Sequence, residues 1–226
     1  MSLKQSYAKH FKTGAAVSRK TLAAKRDLVL REFNSLTCEN AMKFGALTRD
    51  GVNYDFAEAD FIRDFARENG MTLRGHTLVW HNQQPEAVFK NNPTREKLIT
   101  AMKKHIDTMA ERYGADVFCW DVVNEAVYAS PGIAYRDSPW YEIIGADCYD
   151  IAFRHAREVM PPGTLLCYND HAESVPDKCK VISRNTFHNT NRQGKVPSVK
   201  KFYPDNGRWI VNAGFQQTLI IGRNSS

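Results

Sequence analysis

A run of apolar residues gives way to polar ones in FCWDVVNEAV (Phe118–Val127), where Asn124 and Glu125 follow a strand-like stretch. A carboxylic acid at a strand terminus, held partly out of water, keeps its proton near neutral pH and can deliver it to a leaving group. Asn124 beside it can hydrogen-bond a substrate hydroxyl. The competing reading is an ordinary strand-end glutamate serving as a cap or salt-bridge partner. In RGHTLVWHNQQP (Arg74–Pro85), Trp80 offers a flat apolar face to a sugar ring, and His76 and Gln83 offer hydrogen bonds. Strand alternation puts His76 and Trp80 on one face and His81 on the other, so the two histidines form no metal pair. In TCENAMKFG (Thr37–Gly45), Glu39, Asn40 and Lys43 combine donors, acceptors and a cation, a set suited to polyhydroxylated ligands. Against these stand a buried tryptophan with a satisfied histidine, and a helix turn with a surface ion pair.

The elements that must position these groups alternate from end to end, short apolar runs with amphipathic stretches, the rhythm of strand–helix units around a parallel sheet. Strands are expected near Thr13–Val17, Phe33–Leu36, Thr72–Trp80, Val117–Val123, Thr164–Tyr168 and Trp209–Ala213. Asp55 with Glu58 reads as a capping box opening a helix that stops at Gly70. Asn92-Pro93 opens another that stops at Gly114, with Ile99, Met102, Ile106 and Met109 as its buried face. An open doubly wound sheet would carry a Gly-rich phosphate loop after an early strand, and TGAAV has a single glycine. In a barrel the active groups sit at the C-terminal ends of several strands. That is where Glu39, Asn40, His76 to Gln83, Asn124, Glu125, Asn169 and Asp170 fall.

Composition sets the limits. A chain of 226 residues with 42% hydrophobic residues buries a sizeable core, which excludes a disordered or collagen-like protein. No apolar run is long enough to span a membrane, and the N-terminal MSLKQSYAKHF lacks the apolar core of a secretory signal. The net charge of +6 is concentrated: residues 174–226 hold nine basic and two acidic residues, the rest 22 basic and 23 acidic. That basic segment, centred on residues 178–201, mixes its charges with Asn and Pro rather than with aromatic residues, so nucleic acid is not the expected partner. A basic interaction module remains a third reading, recognisable by salt-sensitive binding to polyanions. The five cysteines, Cys38, Cys119, Cys148, Cys167 and Cys179, form no C-x-x-C pair, and their odd number leaves at least one unpaired within the chain. They read mostly as small core residues, and no metal or cofactor is expected.

Taken in order and spacing, FNSLTCENAMKFG, RGHTLVWHNQQP, WDVVNEAV, RDSPWYEIIG and LLCYND closely resemble the family-10 glycoside hydrolases, the endo-β-1,4-xylanases. The match runs over residues 3–174, diverges over 174–208, and resumes weakly in NAGFQQTLIIG, expected as a sixth strand within 209–222 of one 1–226 domain. The resemblance implies an α/β fold, a (β/α)8 TIM barrel of which about six of the eight strands are present, and cleavage of xylan with retained configuration. By resemblance Glu125 is the general acid/base and Asn124 its substrate-binding neighbour. Glu39, Asn40, Lys43, His76, Trp80 and Gln83 line the glycone side, Asn169 belongs to the strand-five site and Gln216 is a substrate-binding glutamine. His171 and Thr218 depart from the family's usual Tyr and His.

Retaining hydrolysis needs a nucleophilic carboxylate roughly 5–5.5 Å from the acid/base. In the family it is the Glu of a T-E-L-D motif on the seventh strand, and no glutamate follows Glu173 here. The expectation is therefore a xylanase domain lacking the nucleophile strand, with a catalytically inactive remnant that binds xylan or xylo-oligosaccharides as the alternative. Inversion with Asp170 or Glu39 as base would need a gap of roughly 6.5–9.5 Å, and the resemblance gives both residues other roles. An incomplete barrel leaves strand edges open to self-association or to a complementing segment. Secretion is expected from the family's habit alone.

Overall fold

The computed structural model describes residues 1–128, 135–170 and 219–221. In chain order the elements are α1 (Leu3–Ser6), β1 (Phe11–Val17), α2 (Arg19–Glu32), β2 (Ser35–Cys38), α3 (Phe44–Leu47), α4 (Ala57–Glu68), β3 (Thr72–Trp80), α5 (Glu86–Phe89), α6 (Arg95–Tyr113), β4 (Val117–Asn124), α7 (Pro139–Ile144), α8 (Cys148–Val159), β5 (Leu165–Asn169) and β6 (Leu219–Ile221).

Strands β1 to β5 lie side by side in sequence order and are all parallel. Right-handed crossovers between strands taken in sequence order put every connecting helix on the same face. The sheet then curls around its other face, as the arc of a barrel does, and the doubly wound alternative, which reverses strand order, is set aside. The remaining strand, β6, pairs antiparallel with β1, from Phe11 opposite Ile221 to Thr13 opposite Leu219. A sixth barrel strand would run parallel beside β5, so the three-residue strand at 219–221 occupies the opposite end of the sheet. The strand expected at 209–213 lies outside the described residues.

Helix faces follow the apolar spacing. Met102, Ile106 and Met109 of α6 are buried, as are Ile62 and Phe65 of α4, against strand residues such as Leu36, Leu73 and Val122. Ile99, on the edge of the α6 face, is half-buried and packs against the same core. Thr94 caps α6, its Oγ1 accepting from the Lys97 amide at 3.4 Å, and Tyr113 ends the helix before Gly114.

The sequence-based reading of α4 requires a correction. Its N-cap is Phe56, without a side-chain cap, while Asp55 Oδ1 accepts from the Ala57 amide at 2.9 Å. Glu58 does not fold back as a capping box demands, because its carboxylate takes the Arg19 amide at 2.7 Å and Arg19 Nε at 3.0 Å. A charged partner from α2 outcompetes the local contact. Strand β2 also begins two residues later than expected, since Phe33 closes α2 through its amide to the Val29 carbonyl at 3.0 Å. Among the described residues, no helix is long and apolar enough to cross a membrane.

Candidate active site

The polar residues gather where the strands end. Near the C-terminal ends of β3 and β4 the ladder register slips, between His76 and Val79 on one side and between Asp121 and Val123 on the other. Such irregularities at a barrel rim re-aim side chains. His76 meets Asp121, and Trp80 meets Glu125 four residues further along.

Glu125 is the first residue past β4 and has φ of 53°, a left-handed conformation that few non-glycine residues adopt. Its backbone is held from both sides, the amide donating to the Asn169 carbonyl at 2.8 Å and the carbonyl accepting from Arg136 Nε at 3.0 Å. Tyr168 fixes the next two residues, its hydroxyl accepting from the Ala126 and Val127 amides at 3.0 Å each while it donates to Asp170. Burial first, and the Asp170 carboxylate second, push the Tyr168 phenol far above its ordinary range, so it stays a donor. Glu125 Oε2 accepts from Trp80 Nε1 at 3.1 Å.

Asn124 and Asn169 are both buried, their side-chain amides in contact at 2.6 Å. Trp80 is anchored through its carbonyl, which accepts from Gln84 Nε2 at 2.6 Å and from Trp140 Nε1 at 3.0 Å. Trp140 itself is placed by α7, whose cap Ser138 accepts from the Tyr141 amide and whose first residue is Pro139.

From the β2 side, Lys43 extends its ammonium over the Trp80 ring, 4.3 Å from the centroid, and donates to Asn40 Oδ1 at 2.8 Å. Burial lowers the Lys43 pKa, while the charges of Glu125 and Glu39 work against that shift. Gln83, also left-handed at φ 47°, donates to Asn40 Oδ1 at 3.4 Å. Close approach makes this possible: the Gly45 amide donates to the Gln83 carbonyl at 2.6 Å, where a Cβ would come within 2.4 Å of that oxygen. Beneath the loop, Phe44 stacks on His105 with ring centroids 3.9 Å apart.

His76 Nδ1 lies 2.9 Å from Asp121 Oδ2, and Asp121 is paired in turn with Arg74 in a fully buried ion pair. Burial opposes the charge on Asp121, but Arg74 and His76 outweigh it and hold the carboxyl below its usual range. The pairing leaves His76 Nε2 as the nitrogen not engaged with Asp121.

Of the residues expected from sequence, Lys43, Asn40, Gln83, Trp80, Glu125, Asn124 and Asn169 form one chain of contacts. Glu39, at the end of β2, is near enough to act on the Lys43 charge, and its amide donates to the Val17 carbonyl at 3.0 Å. His76 joins through Asp121 rather than directly. Gln216 and His171 lie outside the described residues. Sequence reasoning gave no role to Arg74, Asp121, Gln84, Trp140, Arg136 or Tyr168, although each lies inside a quoted motif or beside one. Among the described residues, no group of three or more His, Cys, Asp or Glu is placed to hold a metal.

Buried donors around a carboxylate, an aromatic face and a cation together can orient a sugar and protonate a glycosidic oxygen. The family model described as "Glycosyl hydrolase family 10" matches residues 2–199. Endo-1,4-beta-xylanase A of Caldicellulosiruptor saccharolyticus is 46% identical over 183 residues, 79% of this chain and 53% of that protein. Endo-1,4-beta-xylanase B of Paenibacillus barcinonensis is 41% identical over 185 residues, 80% of this chain and 55% of that protein. A mutant solved in complex with xylotriose superposes with a TM-score of 0.77 at 41% identity, over 81% of this chain and 57% of that one. The chain thus spans about half the length of the curated relatives it matches, and on the strength of the family match it belongs to glycosyl hydrolase family 10.

Proposed function

We propose that this chain supplies the glycone-side cleft and the general acid/base, Glu125, of a retaining endo-1,4-β-xylanase. The observation that carries the reading is the Trp80–Glu125 hydrogen bond, with Lys43 over the same indole. A xylose ring seated on this wall meets an aromatic face, donors from Lys43 and Gln83, and a carboxyl group beside Asn124. In the first step Glu125 would give its proton to the leaving glycosidic oxygen as a nucleophilic carboxylate attacks the anomeric carbon. Glu125 would then take a proton from water to release the glycosyl group.

The T-E-L-D motif that bears this nucleophile in the family does not occur in the sequence. The 226 residues by themselves are therefore expected to grip xylo-oligosaccharides without turning them over, and turnover requires a carboxylate from another segment. Among the described residues β5 ends the sheet, and its outer edge is a fitting place for such a segment or for a second copy. Secretion of the whole protein is part of the same reading and rests on the family resemblance alone.

Reducing-sugar release from xylan by the purified chain, beside Glu125→Gln, tests this reading. The expected result is no release from either folded protein. Release that vanishes in Glu125→Gln would overturn the missing-nucleophile part and show that a carboxylate of this chain completes the pair. Absence of both release and binding would overturn the reading as a whole.

A further inference from the structure

Two thiols meet inside the sheet, with no part in the site described above. Cys119 of β4 and Cys167 of β5 place their sulfurs 3.3 Å apart. In the parallel register Cys119 faces Leu165 and Asp121 faces Cys167, so the two cysteines are diagonal neighbours on one face of adjacent strands. Phe118 and Leu165 pack around them. Cys119 is fully buried and Cys167 is partly exposed, whereas Cys38 and Cys148 are buried with no thiol in contact among the described residues.

We infer that Cys119 and Cys167 form an oxidative modification site, at which a low-molecular-weight disulfide converts the pair into an intramolecular bond stapling β4 to β5. A disulfide needs its sulfurs at about 2.05 Å, so they must close by roughly 1.2 Å. The register slip between Asp121 and Val123, immediately past the pair, is an irregular stretch of ladder that can take up the movement. The partly exposed Cys167 reacts first: its thiolate attacks the reagent disulfide and expels one thiolate, leaving a mixed disulfide. The hydrogen bond to Cys167, followed by burial, keeps Cys119 well above the ordinary thiol range, which assigns it the second step. Its sulfur attacks Cys167 Sγ and expels the second reagent thiolate, which takes up the proton that Cys119 gives up. The protein loses two hydrogens and the reagent is reduced to two thiols.

The consequence reaches the site through the backbone. β4 leads directly into Glu125, and β5 ends at Asn169, whose carbonyl holds the Glu125 amide. Joining the strands fixes the base on which that contact stands, and the loop closed between residues 119 and 167 loses freedom when unfolded.

The test uses the whole chain, reduced, freed of reductant, exposed to oxidised glutathione, alkylated after unfolding and digested for mass spectrometry. The expected product is a Cys119–Cys167 cross-linked peptide pair two hydrogens lighter than its reduced parts, with Cys38 and Cys148 alkylated. The oxidised protein is expected to melt several degrees higher, a shift reversed by reductant and absent from Cys167→Ser. If the folded protein yields Cys119 and Cys167 as separate alkyl or glutathione adducts, the inference fails. It fails equally if Cys167 pairs with Cys179 instead.

Discussion

The indole nitrogen of Trp80 donates to Glu125 Oε2 at 3.1 Å, joining the end of β3 to the first residue past β4. One side chain thus offers an aromatic face and sets the direction of a carboxyl group. Replacement by Phe keeps the face and removes the donor. Trp80→Phe is expected to weaken xylo-oligosaccharide binding three- to tenfold, about 1 kcal/mol. Trp80→Ala, which also removes the face under Lys43, is expected to weaken it further. Nuclear magnetic resonance titration of both variants measures the difference.

The buried Arg74–Asp121 pair is structural support for His76. Asp121→Ala leaves the Arg74 guanidinium buried without a counter-charge, a loss of about 3–5 kcal/mol. Replacing both partners, with Arg74→Met and Asp121→Leu, recovers much of that stability. Urea unfolding of the single and double variants separates the two cases. The carboxyl pKa of Asp121 is lowered in the native state, so its contribution is complete above the ordinary carboxylate value of about 3.9 and disappears as pH falls through the lower native value.

Gly45 is needed for its missing side chain rather than for its backbone freedom. A Cβ there would press on the Gln83 carbonyl and carbon. Gly45→Ala is expected to cost about 1–3 kcal/mol by overpacking, and to displace Gln83 from Asn40. Thermal melting and sugar titration read the two effects separately.

His105 supports the Lys43 loop through its stack on Phe44 and is fully buried. Burial pushes its pKa down to about 3. An unfolded histidine takes up a proton near pH 6.5, whereas the native one remains neutral to much lower pH. Stability therefore rises with pH between about 3 and 6.5, with a slope of at most about 1.4 kcal/mol per pH unit from this group. His105→Leu is expected to flatten that slope. Urea midpoints across the interval check it.

Much of this arrangement is legible in the sequence, because it depends on local periodicity. The bounds of β3 and the buried face of α6 follow from alternation and from three- and four-residue spacing. Motif order singles out Trp80, Glu125 and Lys43 as candidate site residues, and the structure brings the three into contact. What escapes is set by contacts between distant segments. Glu58 abandons its local cap for Arg19, 39 residues away. Arg74 and Asp121 meet across 47 residues, and Trp140 reaches Trp80 across 60. The register slip near Asp121 carries no glycine or proline at Val122, whereas Gly75 directly precedes the slip that follows His76.

Calorimetric titration of the folded chain with xylotetraose tests the central claim most directly. The cleft between Lys43, Trp80 and Glu125 should give saturable binding, weakened tenfold or more in Trp80→Ala, a change of about 1.4 kcal/mol. A folded chain that takes up no xylotetraose, or a Trp80→Ala variant that binds as well as the parent, would contradict it.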